Sequence, residues 1–170
     1  ALGPYPVPPP PPVQPPDISA VLPTLVGHAS DAAQGNLISG NVGSGVSLGP
    51  WRAHDSTVIG NRIGTTADGT QALTAQRTGV SLLNAVDNRI GEPGLGNLIS
   101  GNAAAGILLA GGECTANRVE ANLIGTKANG AEALENLNGV VIRFNAHDNI
   151  IGGDTPDAAN VISGNGAAGV

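Results

Sequence analysis

The chain has 170 residues, enough for one ordinary domain, but only 2% are aromatic and 12% charged, so large rings cannot be what fills its core. A net charge of −6 and a pI near 4.7, with no run of Lys or Arg, exclude a phosphate-tracking surface, and nucleic acid is not an expected partner. No apolar stretch approaches the ~20 residues of a membrane span.

Residues 1–23 come first and differ in composition from everything after them. They carry ten of the thirteen prolines, including the run Pro8, Pro9, Pro10, Pro11 and Pro12. Such a tract lacks backbone donors and has φ fixed, so it predicts an extended polyproline II segment rather than helix or inner strand. It reads as a linker or tail, or as an arm that packs on something, since a preformed rod loses little entropy on docking. The chain starts at Ala1 with no basic-then-apolar leader, so a secretion signal would have been removed or would lie outside these residues.

From residue 24 to 170 the sequence repeats. "GNLISGN" stands at 35–41 and again at 96–102, and "ANVISGN" ends at Asn165. Gly-apolar pairs at Gly45-Val46, Gly79-Val80, Gly106-Ile107, Gly139-Val140 and Gly169-Val170 are spaced by 34, 27, 33 and 30 residues. Long and short units alternate, so the true period is a pair of units of about 61 residues. Between these pairs recurs Asn-Xaa-Ile/Val, at Asn36, Asn61, Asn88, Asn97, Asn117, Asn122, Asn149 and Asn160, with Ser56 taking the same slot once. Each unit therefore predicts three short strands of four or five residues, one Gly-Val-Xaa-Leu and two Asn-Xaa-Ile, because their alternation has the strand period.

Strands this short, bounded by Gly or Asn, bury an apolar face only by stacking on the next unit. The predicted fold is all-β, a parallel solenoid of about four to five coils. Val46, Val80, Ile107, Val140 and Val170 then form one inward column, Leu48, Leu82, Leu109 and Ile142 a second, and Ile38, Ile63, Ile99, Ile124 and Ile162 a third. The asparagines suit the bent corners and can bond their amides to the neighbouring rung. Cys114 shares a column with Ala53, Ala85 and Ala146 and reads as a small buried thiol; as the one cysteine of the chain it excludes an internal disulfide framework. No Asn begins an Asn-Xaa-Ser/Thr sequon, so N-glycosylation is not expected.

Residues 24–170 resemble the right-handed parallel β-helix repeat proteins of the pectate-lyase-like superfamily, many of whose surface-protein members carry repeats similar to "NLISGN" and "NRIGTTADGTQAL", which implies a right-handed parallel β-helix. The proline tract resembles hydroxyproline-rich cell-wall glycoproteins, which implies hydroxylation or O-linked sugars at Pro8 to Pro12. The enzymes of the superfamily imply calcium-binding carboxylate clusters with a basic proton acceptor, or several aspartates with a His and an Arg-Xaa-Lys; epimerases imply an acidic and histidine cluster. Those patterns are absent here, so no enzymatic activity, metal or cofactor is expected, and fold alone licenses none.

Two matching loops interrupt the repeats, "TTADGTQALTAQRT" at 65–78 and "TKANGAEALENLN" at 126–138, with tight turns at Asp68-Gly69 and Asn129-Gly130. They lack the spaced carboxylates of a Ca²⁺ site. His54-Asp55 and His147-Asp148 invite an acid–base reading, but the alignment puts Val86 and Thr115 between the histidines, three steps or about 14 Å apart. Asp55 and Asp87 fall on adjacent rungs and could share a proton or cation. If the chain is instead a fragment of a polysaccharide lyase or epimerase, then His54, Asp55, Asp87, His147 and Asp148 are the candidates. The scarcity of aromatics removes the usual sugar-stacking platform.

The middle residues of the Asn-Xaa-Ile strands should face outward. On one face these are Thr57, Arg89, Arg118 and Ile150. On the other Leu37, Leu98, Leu123 and Val161 accompany Arg62, an apolar stripe that something should cover: Leu73 and Leu134 of the loops, a second protein, or the proline arm. Gly169-Val170 opens a further unit, so the repeats read as an excerpt of a longer chain or as an uncapped unit that assembles. The function expected is a structural or adhesive module, extracellular or at the cell surface. Its expected partners are other copies, other surface proteins or glycans; a glycan-binding spike on the same fold would be a trimer.

Overall fold

The computed structural model describes residues 24–31, 34–50, 53–73 and 75–170; the proline-rich tract, and with it Pro8 to Pro12, lies outside them. Among the described residues fourteen strands, numbered in chain order, form three parallel sheets. One contains β1 (Leu25–Gly27), β4 (Thr57–Ile59), β7 (Arg89–Ile90), β10 (Arg118–Val119) and β13 (Ile150–Ile151) in that order. A second contains β2 (Leu37–Ile38), β5 (Arg62–Ile63), β8 (Leu98–Ile99), β11 (Leu123–Ile124) and β14 (Val161–Ile162). The third has longer strands: β3 (Ser44–Leu48), β6 (Thr78–Leu83), β9 (Ala105–Ala110) and β12 (Asn138–Arg143). Every strand pairs with its equivalent one rung away, so the chain is all-β with a parallel, solenoid-like stack.

The register places like on like. Val46, Val80, Ile107 and Val140 are consecutive partners, as are Leu48, Leu82, Leu109 and Ile142, and so are Ile38, Ile63, Ile99, Ile124 and Ile162. The interior members are fully buried, whereas Ile142, on the outermost strand of its sheet, is 42% exposed. Truncating Ile124, 0% exposed, to alanine is expected to cost about 2–5 kcal/mol. A urea midpoint shift corresponding to well under that cost would show the column to be loosely packed.

The Asn-Xaa-Ile strands are shorter than the sequence suggests, two or three residues rather than four or five. Glycines follow the Ile at Gly64, Gly91 and Gly125 with φ of 80–88°, which takes the backbone out of the strand region at once. Side-chain ladders replace the missing backbone pairing. Asn36, Asn61, Asn97, Asn122 and Asn160 form one, each donating its backbone N–H and Nδ2 to Oδ1 of the next at 2.9–3.1 Å. Ser56, Asn88, Asn117 and Asn149 form the second, Ser56 donating through its backbone N–H alone. A third runs through Asn41, Gln76, Asn102, Asn136 and Asn165. The sequence reading did not include it, because Gln76 breaks the asparagine pattern and these residues precede the Gly-Val strands rather than opening Asn-Xaa-Ile.

The two-unit period has its origin in one corner. Short turns at Ile59–Asn61 and Glu120–Asn122 alternate with long ones at Gly27–Asn36, Gly91–Asn97 and Gly152–Asn160, the last containing a 3-10 turn at Pro156–Ala158. No helix among the described residues is long and apolar enough to cross a membrane.

Candidate functional site

The His-Asp corner lies between the long-strand sheet and the β1/β4/β7/β10/β13 sheet. His54 pairs with Val86 and Val86 with Thr115 in isolated parallel bridges, and His147 N–H donates to the Cys114 carbonyl one rung on. The two histidines therefore stand three rungs apart with uncharged residues between them. Each is instead held by its own neighbour, His54 Nδ1 to Asp55 at 2.7 Å and His147 Nδ1 to Asp148 at 2.8 Å. Asp55, Asp87, Ala116 and Asp148 occupy equivalent corner positions, all with φ of 53–57°. Aspartate tolerates this left-handed backbone better than most residues, which gives three of these carboxylates a conformational reason to be there. Among the described residues, no three His, Cys, Asp or Glu side chains come close enough together to hold a metal ion.

Behind this corner Cys114 is 0% exposed in a column with Ala53, Ala85 and Ala146. Its Sγ lies 3.7 Å from the Leu82 carbonyl, and burial pushes the thiol above its ordinary pKa. A thiol that is both inaccessible and protonated is unreactive. Ellman's reagent is expected to label Cys114 only as fast as the chain unfolds; rapid labelling of the native protein would contradict this packing.

The outward stripe is aligned but not uniformly open. Leu37 is 50% exposed and Val161 39%, whereas Leu98 is 7% and Leu123 intermediate. Gly69 of the first inserted loop approaches Leu98: a Cβ on Gly69 would sit 2.6 Å from Leu98 Cδ2 and 2.8 Å from Ala128 Cβ. Leu73 stays 39% exposed. The two inserted loops form small hairpins, closed by antiparallel bridges Thr65–Ala72 and Thr126–Ala133, and stack on one another through Ala128 N–H to the Gly69 carbonyl at 3.0 Å. Inside the first, the Thr66 and Thr70 donors lower the Asp68 pKa; inside the second, Lys127 and Asn129 lower that of Glu132. Both carboxylates are thereby engaged within their own turns.

On the opposite face of this corner, Arg118 pairs with Glu120, which is 4% exposed. Arg89 reaches Glu92 at 3.5 Å.

A further groove lies on the outer face of the long-strand sheet. It has a volume of about 440 Å³ and is lined by Arg77 and Arg143, by Ser44, Thr78 and Asn138 at the aligned strand starts, and by Leu108 and Val141. No carboxylate lines it, and among the described residues none pairs with either arginine. Arg143 lies 4.8 Å above the Phe144 ring, a cation–π contact that holds the guanidinium without neutralising it.

No family model, curated protein or solved structure matches this chain.

Sequence reasoning passed over the groove because its arginines are 66 residues apart and at opposite ends of their strands. The usable signal was that the Gly-Val strands carry flanking arginines and no acid, in a chain with thirteen acidic residues.

Proposed function

We propose that this chain is a structural or adhesive module of an extracellular or cell-surface layer, which associates with other copies of itself. Its repeats form a right-handed parallel β-helix of about four to five coils; parallel crossovers are right-handed in nearly all known sheets. The observation that carries the reading is where the buried polar groups go. Three amide ladders run the length of the stack, and among the described residues Thr126 Oγ1 is the one buried side-chain polar atom without a partner. An interior whose amide ladders join each rung to the next suits a stiff, persistent rod.

Sedimentation velocity over a wide concentration range tests this. Larger species growing with concentration are expected; a stable monomer throughout would overturn the proposal. The rival reading, a fragment of a polysaccharide lyase or epimerase, draws on the hydrogen-bonded His54–Asp55 and His147–Asp148 pairs. It requires new unsaturated ends, or a changed epimer ratio, when uronate polymers are incubated with the protein, and loss of that turnover on replacing Asp55 and Asp87.

A further inference from the structure

We propose that Asn129, at the tip of the second hairpin, is a site of spontaneous deamidation, converted through a succinimide to aspartate and isoaspartate, while the stack holds the other Asn-Gly pairs unreactive. Asn-Gly occurs three times, at Asn129-Gly130, Asn138-Gly139 and Asn165-Gly166. In such a pair the glycine nitrogen adds to Cγ of the preceding side chain with no Cβ of its own to hinder the approach. At the hairpin tip, the Gly130 N–H gives its proton to hydroxide, the new N–Cγ bond forms, the Cγ–Nδ2 bond breaks, and ammonia leaves with a proton from water. Water then opens the five-membered ring at either carbonyl, giving aspartate or isoaspartate. No oxidant, reductant or cofactor is consumed.

What separates the three pairs is how each glycine N–H is held. Gly139 donates to the Ala168 carbonyl and Gly166 to the Asn136 carbonyl, both at 2.8 Å and both across rungs, so neither nitrogen is freed unless rungs part. Their asparagines are tied across rungs as well: the Asn138 N–H donates to the Ala104 carbonyl at 2.9 Å, and Asn165 Oδ1 accepts from Asn136 Nδ2 at 3.1 Å. The Gly130 N–H instead donates to the Lys127 carbonyl at 2.9 Å, within its own turn, a bond that opens locally without disturbing the stack. Asn129 is exposed, and its Oδ1 accepts from the Ala131 N–H at 3.1 Å and the Glu132 N–H at 3.2 Å. Those two donors point at the oxygen on which negative charge grows as nitrogen adds to Cγ, and so favour the addition. The turn also suits the product. Asp68 holds the same tip position in the first hairpin, where its Oδ1 accepts from the Thr70 N–H at 3.1 Å, the counterpart of the Ala131 bond to Asn129.

The test is to incubate the full native chain at mildly alkaline pH beside the same chain in urea, and to map peptides by mass spectrometry with enzymatic methylation of isoaspartate. In the native chain Asn129 should convert at least about tenfold faster than Asn138 and Asn165, with isoaspartate among its products; in urea the three should convert at similar rates. An Asn129 that stays amidated while the unfolded chain reacts, or native conversion in the same proportions as in urea, overturns the proposal. Gly130→Ala places a Cβ beside the attacking nitrogen and should slow loss of the Asn129 amide at least about tenfold. Asn129→Gln, which must close a larger ring, should stay amidated over the same period, and it keeps the test decisive if the alanine variant misfolds. Loss of amide at an unchanged rate in either variant, or aspartate as the sole product in the wild type, means direct hydrolysis of the side chain and also overturns the proposal.

Discussion

Replacing Gly96 with alanine is expected to be among the most damaging single changes, on the order of 4–5 kcal/mol or more. The reason is contact, not conformational freedom. A Cβ on Gly96 would lie 1.8 Å from the Ala121 carbonyl oxygen and 2.7 Å from its carbon, and backbone cannot step aside as a flexible side chain can. The Ala121 turn is also pinned, its N–H donating to the Ala158 carbonyl at 3.0 Å. Either the long turn at Gly91–Asn97 lifts off its neighbour or the rungs separate locally, and both outcomes disturb the Asn97 rung that follows. Gly94 in the same turn is the control. It has φ of +79° but no atom within 4 Å of its would-be Cβ, so alanine there costs only backbone strain, roughly 1–2 kcal/mol. Chemical denaturation of the two variants should separate them by several-fold in ΔΔG. Equal, small effects would mean that the corner has slack. A Cβ on Gly35 would meet the Gly60 carbonyl oxygen at 1.8 Å in the same way, which explains why "GN" is spelled alike at 35 and 96, whereas the long turn on the outermost described rung carries Ala159 in that slot.

That corner marks how far the residues alone can be read. The inward columns were legible because stacking demands the same side chain at the same place, and Val46, Val80 and Ile107 announce their register in a Gly-Val/Ile pair. Two asparagine ladders were legible for the same reason. The third was not, since Gln76 performs with a longer arm what asparagine performs elsewhere. The approach of Gly69 to Leu98 was not legible, because a residue without a side chain gives no sign of what it touches. Asp55, Asp87 and Asp148 looked like chemistry in the sequence; their common left-handed φ supplies a backbone explanation. The groove between Arg77 and Arg143 depends on two strands distant in sequence lying in one sheet, information that exists only once the rungs are stacked.

Asn97→Ala is expected to cost about 2–4 kcal/mol, comparable to truncating an aliphatic neighbour, although it removes only a small polar side chain. Asn97 is 1% exposed and its amide is saturated. Nδ2 donates to the Val58 carbonyl at 2.8 Å and to Asn122 Oδ1 at 2.9 Å; Oδ1 accepts from Asn61 N–H and Nδ2, both at 3.0 Å. Alanine leaves the Asn61 N–H without a partner in an interior closed to water, while the Val58 carbonyl keeps the Gly91 N–H at 2.8 Å and Asn61 Nδ2 keeps the Val26 and Ile59 carbonyls. The orphaned N–H costs about 1–3 kcal/mol, and the weakened bonds on both sides add to it because the rungs polarise one another. Asn36→Ala, at the exposed end of the same ladder, should cost about 1 kcal/mol or less, because water can take the place of the lost amide. Urea unfolding of both variants, with hydrogen exchange at Asn61 and Asn122, distinguishes a cooperative ladder from independent pairs: in the ladder, Asn97→Ala lowers protection on both neighbouring rungs. A loss confined to Asn61, or a ΔΔG no larger than that of Asn36→Ala, would show that the amides merely line the corner and that the aliphatic columns alone hold the rungs together.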